Sequence, residues 1–306
     1  MNILVRRDVS LRLQMTADSL STPLLGRILD RLEIDRPSSP TPEALREVYA
    51  SWCRRVPFDN ALKLTHVRSG KPGPLPGGEA RAFFDGWLRY GTGGTCWSSA
   101  GALQSLLHAL GFDAVRGVAT MMAAPDLPPN HGTVIVTVEH TRFLVDSALL
   151  HVQPLELKVE ETTQVEHGAW GCRSVWEDGR WHIHWRPVHQ LQGLVCRLES
   201  WDATGDDYRA RYEGTRGWSP FNYSLYIRTN RGEQSIGLAF GSKLTLHADG
   251  RVSELPIRDA QHRNQVLVED FGLAEEVVND LPEDQPLPPP PGSRSAQVVE
   301  NELSPA

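Results

Sequence analysis

At Gly111 the spacing of the apolar residues changes from helical to strand-like, and that change limits the fold more than any other feature. Before it, WSSAGALQSLLHALGF sets Ala100, Leu103, Leu107 and Leu110 on one helical face with Leu106 beside them. A buried helix of about four turns is predicted, with Cys96 or the next residue at its head, His108 in its last turn and Gly111 as its stop. After it, FDAVRGVATM, HGTVIVTVEH, TRFLVDSALL, CRSVWEDGRWHIHWRP and QGLVCRLES are short, rich in branched and aromatic residues, and separated by polar turns. Asp178-Gly179 is the sharpest hairpin signal, because a two-residue turn needs positive φ at both positions. Such strands in succession suggest a small barrel or curled sheet, which leaves few exposed edges.

The helical period also governs the region upstream. Ser21 or Thr22 before Pro23 opens one helix; Thr41 before Pro42 caps another, with Leu45, Val48, Tyr49 and Trp52 as its stripe. RSGKPGPLPGGE reads as a loop. Beyond residue 217, FNYSLYIRTN, EQSIGLAFGSKLTLHAD and RVSELPIRD read as strands, with Asp249-Gly250 as a second hairpin turn and NQVLVEDFGLAEEVVNDL as a closing helix. From 281 the prolines at 288 to 291 exclude a helix interior or a ladder, so the tail is expected to be disordered.

The 306 residues can bury a core large enough for two compact units and have room for a third. With 31 basic against 38 acidic side chains, a polyanion such as nucleic acid is a poor partner. The four cysteines form no C-x-x-C pair, which argues against a zinc site and a disulfide framework, so no metal is expected. MNILVRRDVSLRLQM lacks the apolar run of a signal peptide, and no stretch is apolar enough to span a membrane. Cytoplasmic residence without membrane association is the expectation.

Cys96 stands out among the cysteines. It follows Gly91, Gly93 and Gly94, which permit a tight turn and a close approach to a ligand, and it opens the central helix. The positive end of a helix favours a thiolate, and the free N-H groups there can face an oxyanion. The plain alternative is a small buried residue beside a tight loop, which is also the cheaper explanation for Cys53, Cys172 and Cys196. A nucleophilic thiol needs a base and a group that orients it. His131 begins a strand after the turn-rich APDLPPN, at the rim of the sheet; Asp146 lies in the apolar run RFLVDSALL, where a carboxylate is costly unless paired. A tight hairpin around 139 to 141 is expected to set Asp146 opposite about Ile135, four strand positions from His131, so a contact between them needs a bend or a bulge.

The order of these segments resembles the arylamine N-acetyltransferase family. The match runs from LLGRILDRLEI through PTPEALREVYASWCRRVPFDNALKL, TGGTCWSSAGALQSLLHALGF, NHGTVIVTV, TRFLVDS and GWSPFNYSLYIRTN to LVEDFGL. The resemblance implies an α+β fold with a cysteine-protease-like core: a helical domain at 1-90, a nucleophile helix and small β-barrel at 91-205, an α/β lid at 206-280 and the tail at 281-306. It implies a triad of Cys96, His131 and Asp146, with the Cys96 N-H as an oxyanion donor. It places Phe58, the loop near Pro125 to Pro129, and Ser219 to Phe221 at the cleft, with Gly94, Thr95, Trp97 and Asn130 completing the substrate and oxyanion pocket. It also implies no tightly bound cofactor, an acyl-CoA or acyl-phosphopantetheine thioester as donor and a small-molecule amine as acceptor.

The chain departs from the family where Thr92 and Thr95 flank Gly93-Gly94, Trp97 follows the cysteine, Asp59 replaces a glutamate, and Ser147-Ala148-Leu149-Leu150 follows Asp146. These departures keep three other readings in play. One is an amide synthase or macrolactam-forming enzyme of antibiotic biosynthesis, fed by an acyl carrier protein. The second is a cysteine hydrolase or transglutaminase-like enzyme, and the third a binding protein without turnover. The oligomeric state is not set by the sequence.

Overall fold

A computed structural model describes residues 19–291 apart from 124 and 126, so the amino-terminal segment read above and the tail from 292 onward lie outside the described residues. The described residues begin with helices. α1 (Thr22–Leu32) buries Leu24, Leu25, Ile28, Leu29 and Leu32, and it ends at Glu33 with φ 55°. In α2 (Pro42–Arg55), Thr41 Oγ1 accepts from the Ala44 N-H at 3.2 Å, the expected cap, and Leu45, Val48, Tyr49, Trp52 and Cys53 turn inward. Pro57 prevents continuation. The chain then makes a short strand, β1 (Phe58–Asp59), and a helix, α3 (Ala61–Arg68).

α4 (Ala80–Tyr90) buries Phe83, Phe84 and Trp87; the Trp52 ring stacks on Phe83 at 5.8 Å and meets Phe84 edge-on at 6.1 Å. Gly91 closes it at φ 74°. α5 (Cys96–Ala109) follows, buried along most of its length and packed against α4 and the first two strands of the large sheet. It starts at Cys96, and Gly111 at φ 91° turns the chain out of it, as the change of spacing requires.

Eight strands then form an antiparallel sheet: β2 (Asp113–Met121), β3 (His131–Val138), β4 (Thr141–Val145), β5 (Leu155–Glu156), β6 (Thr163–Val165), β7 (Cys172–Glu177), β8 (Arg180–Trp185) and β9 (Leu194–Ala203). Their order is β5-β4-β3-β2-β9-β8-β7-β6. The two edge strands touch, and Thr163 Oγ1 donates to the Glu156 carbonyl, so the sheet curls into a nearly closed barrel. Register shifts between β2 and β9 help it bend. Asp178 and Gly179 make the expected tight turn, with φ 50° and 73°.

α6 (Gly205–Gly214), started by a capping box of Thr204 and Asp207, returns to α5. Tyr208 Oη lies 2.6 and 2.7 Å from the carbonyl oxygens of Gly117 and Thr133 and so fastens the helix to the barrel. A second sheet has the order β1-β10-β11-β12-β13, with β10 (Tyr226–Arg231), β11 (Gln234–Ala239), β12 (Ser242–Leu246) and β13 (Val252–Pro256). Its β12–β13 turn is wider than a two-residue turn: Leu246 pairs with Val252, and His247 N-H donates to the Arg251 carbonyl at 2.9 Å. The expected closing helix is two, α7 (Ala260–Phe271) and α8 (Glu275–Asn279), because Gly272 at φ 70° breaks it. Leu267, Val277 and Val278 pack there with Ile227 and Leu238, and with Leu64 of α3.

The tail requires a correction. Residues 281–291 have no helix or strand, as the prolines demand, but they are held in place. Leu281 is buried, Asp284 Oδ1 accepts from the Leu225 N-H at 2.8 Å, Gln285 N-H donates to the Tyr223 carbonyl at 2.8 Å, and Trp218 Nε1 donates to the Pro288 carbonyl at 3.2 Å. Side-chain and backbone partners elsewhere in the chain supply the order that a proline-rich segment lacks by itself.

Candidate active site

The turn that presents Cys96 is shaped by contacts its neighbours make with residues 57–61. A Cβ on Gly93 would sit 1.8 Å from the Pro57 carbonyl oxygen, and one on Gly94 would sit 2.3 Å from Ser98 Oγ. Only glycine permits that approach. Asp59, which is buried, accepts from the Gly93 N-H at 2.5 Å through Oδ2 and from the Ala61 N-H at 2.9 Å through Oδ1. Burial pushes its carboxyl up to about 6 even though both of those N-H groups pull it down. Thr95 is the residue before the helix; its side chain caps nothing, but its carbonyl accepts from the Ser99 N-H and from the hydroxyls of Ser98 and Ser99.

Cys96 is 8 % exposed, and its Sγ lies 3.9 Å from the Asn130 carbonyl oxygen. Asn130 is itself fixed: its N-H donates to the Ala119 carbonyl at 3.0 Å, and its Oδ1 accepts from the Met121 N-H at 2.9 Å. His131 is the first residue of β3, paired with Ala119, so the Asn130 clamp sets where the imidazole begins.

His131 and Asp146 meet without any bend. Glu139 and His140 both take positive φ, Val138 pairs with Thr141, and the register runs from there to Val134 opposite Val145. The next pair in that register is Thr133 with Asp146, not Ile135, which corrects the expected four-position gap to two. Residues two apart on a strand share a face. His131 Nε2-H donates to Asp146 Oδ2 at 2.8 Å. The other carboxylate oxygen, Oδ1, accepts from the N-H groups of Ala148 and Leu149 at 2.8 and 2.9 Å. Tyr49 Oη holds the backbone of the same residue, donating to the Asp146 carbonyl at 2.8 Å and accepting from its N-H at 3.0 Å.

Burial opposes charge on both partners, yet each stabilises the charged form of the other. Burial lowers the His131 pKa, but the Asp146 carboxylate, the nearby Cys196, and hydrogen bonds with Asp146 and Cys96 hold it well above the ordinary imidazole value. Burial raises the Asp146 pKa, but the His131 charge and hydrogen bond and the Leu149 N-H hold it at about 2. With Nε2 committed to Asp146, Nδ1 is the nitrogen left for the thiol. The other three cysteines stand differently: burial pushes Cys53 and Cys196 up to about 12 and Cys172 higher still, and none is hydrogen-bonded to His131.

Among the remaining residues singled out in the sequence, Phe58 pairs with Gly94 in a parallel bridge and meets Phe221 and Tyr226 edge-on at 5.4 and 5.8 Å, so it joins the turn before Cys96 to an aromatic wall. Ser219 Oγ accepts from the Phe221 N-H at 3.3 Å and starts a short 3-10 turn, Pro220–Asn222. Trp97 is turned into the core: it meets Tyr208 edge-on at 5.1 Å, and a Cβ on Gly132 would come 2.7 Å from its ring. In the loop near Pro125 to Pro129, residue 126 lies outside the described residues; the Pro129 carbonyl accepts from Arg211 at 3.2 Å.

Sequence reasoning missed two residues that build the site. Tyr49 read only as part of an apolar stripe. Asn60 clamps the 221–226 segment: its Nδ2 donates to the carbonyls of Phe221 and Ser224 at 2.9 and 2.8 Å, and its Oδ1 accepts from the Tyr226 N-H at 2.8 Å. Its signal was its place directly after Phe58-Asp59.

A family model described as N-acetyltransferase matches residues 41–279. An arylamine N-acetyltransferase from Mycolicibacterium smegmatis is 23% identical over 268 residues, covering 81% of this chain and 91% of that protein. Among solved structures, the arylamine N-acetyltransferase from Salmonella typhimurium superposes with a TM-score of 0.71 at 21% identity, covering 85% of this chain and 98% of that one. The Mycobacterium marinum arylamine N-acetyltransferase in complex with CoA gives a TM-score of 0.71 at 20% identity, covering 85% of this chain and 95% of that one.

Proposed function

The chain belongs to the N-acetyltransferase family, and from that premise we propose that it moves an acyl group from a thioester to the amine of a small molecule through an acyl-Cys96 intermediate. The observation that carries the reading is the buried imidazole of His131, bonded to Asp146 through Nε2 and to Cys96 on its other side. Asp146 fixes the tautomer, so Nδ1 carries the lone pair that accepts the Cys96 proton. The thiolate attacks the thioester carbonyl, a new S–C bond forms, and the bond to the donor sulfur breaks. That sulfur leaves as a thiol with the proton held by His131. The amine then attacks acyl-Cys96, His131 accepts the amine proton, and the restored imidazolium returns a proton to Cys96 as the amide departs.

The N-H of Cys96, at the head of α5, faces the developing oxyanion. The aromatic wall of Phe58, Phe221 and Tyr226 offers a flat apolar surface to an acyl chain or an aryl amine. Coenzyme A is the donor carrier that this reading favours, supported by family membership and by the CoA complex of the Mycobacterium marinum relative.

A donor screen by intact mass tests the reading: the protein is mixed with acyl-CoA compounds and with carrier-bound chains, without an amine. An acyl adduct on the wild type with at least one CoA thioester, absent in Cys96→Ser, is expected. Adducts from carrier-bound chains alone would turn the assignment to amide synthesis, and no adduct from either class would overturn it.

A further inference from the structure

Lys63 is a charged residue that the transfer chemistry leaves unused. It lies on α3, is 3 % exposed, and its Nζ is buried with no hydrogen-bond partner. The ammonium stands 5.9 Å from the centroid of the Tyr212 ring, and both residues line a cavity of about 310 Å³. Gly93 and Gly94 form part of the same wall, so the cavity reaches the nucleophile turn. Ala82 and Asp85, both exposed, line its outer part.

Among the described residues no side chain bonds this cation: the charges it feels are those of Cys96, which is engaged with His131, and then Glu213. Glu213, whose charge Lys63 feels, is already committed: its Oε1 accepts from the Leu75 N-H at 2.6 Å, and its Oε2 accepts from Arg216 at 2.9 Å. Asp59 lines the cavity too, but its two oxygens face the N-H groups of Gly93 and Ala61. A buried ammonium without a partner is costly, and a ligand that brings one negative charge removes that cost.

We propose that this cavity binds a small organic acid, whose carboxylate draws Lys63 Nζ out of its buried position to meet it and whose apolar body lies against Leu62, Phe83 and the Tyr212 ring. The charge count selects the class. Arg89, the other cation of the lining, is exposed and paired with Glu276 at 3.4 Å, which leaves one ammonium for one carboxylate, whereas a phosphate dianion would also meet the carboxylates of Asp59 and Asp85. The walls select the shape, because a cavity lined by aromatic and aliphatic side chains favours an acid with a flat or short apolar body over a fully hydrated ion.

The test uses the full chain, with benzoate as the probe and inorganic phosphate as the comparison arm, read by thermal shift and by titration calorimetry. Benzoate is expected to raise the Tm of the wild type and of Cys96→Ser, since the thiol does not line the cavity. Lys63→Met is expected to abolish the shift and the heat of binding. Ala82→Trp, which narrows the outer cavity and leaves Lys63 in place, is expected to do the same, so the test survives if one variant folds poorly. Phosphate at equal concentration is expected to give no more than a small fraction of the benzoate shift. The proposal is overturned if benzoate does not bind, if its effect persists in both cavity variants, if it disappears in Cys96→Ser, or if phosphate acts as strongly.

Discussion

The two sides of the Gly93-Gly94 turn are built on opposite principles. On the His131 side both oxygens of Asp146 have partners, and its backbone N-H and carbonyl both meet Tyr49. On the Lys63 side, Lys63 Nζ and Thr92 Oγ1 are buried with no hydrogen-bond partner beside an open cavity. The first arrangement holds an imidazole in one tautomer and one orientation, which general base chemistry requires. The second leaves polar groups and space free for something from outside. The contrast is between two charged groups: Asp146 has partners on both oxygens, although His151 Nε2 and Arg228 near it keep unpartnered atoms, and Lys63 Nζ has none.

The comparison can be broken most strongly at Asp146. Asp146→Asn keeps the shape but removes the charge that fixes the His131 tautomer, so kcat/KM is expected to fall by roughly 10²- to 10⁴-fold in a steady-state assay with an acyl-CoA and an arylamine. The same variant alters the acid limb of stability. Asp146 is held at about 2 in the fold against an ordinary 3.8, so its ionisation supports the fold above the ordinary value, and that support is lost as pH falls from about 4 to about 2. Denaturation curves across that range should be flatter for Asp146→Asn than for the wild type.

The opposite sign is expected at Lys63. Its pKa is lowered from 10.5 to about 8 by burial, so the ionised side chain opposes folding below about 8, and the penalty disappears above 10.5. Lys63→Met should therefore raise stability at neutral pH by up to about 3 kcal/mol in chemical denaturation, and the gain should vanish as pH passes 10.5. A loss of stability at neutral pH would mean that the ammonium has an internal partner, and the contrast between the two sides would fail.

The smallest effect is expected at Tyr49. Tyr49→Phe leaves the N-H and carbonyl of Asp146 without their bonds, at a cost of about 1–3 kcal/mol, and lowers kcat by several-fold with KM little changed. An unchanged kcat would mean that Asp146 is positioned by its own turn, through Ala148 and Leu149, without help from α2.

Much of this was legible because local chemistry agreed with the tertiary result. The stripe of Ala100, Leu103, Leu107 and Leu110 and the glycines before Cys96 located the start of the central helix to within one residue. The register joining His131 to Asp146 was not legible, because the turn uses Glu139 and His140 at positive φ where a sequence reader looks for glycine or asparagine. Tyr49 escaped notice because its bonds span 97 residues and its place in a stripe already accounted for it. Lys63 escaped because a lysine on a short helix reads as solvated; only Tyr212, brought over by α6, and the cavity walls make it buried. The order of 281–291 comes likewise from partners at 218–225 that no local pattern announces.

The claim on which the rest depends is that the acyl group rests on Cys96 and leaves from there to the amine. Rapid-quench peptide mapping with a radiolabelled acyl-CoA tests it directly. The label is expected on the peptide containing Cys96, formed and discharged by added amine at least as fast as steady-state turnover. Label on Cys53, Cys172 or Cys196, or a Cys96 adduct that amine discharges more slowly than the enzyme turns over, would contradict it.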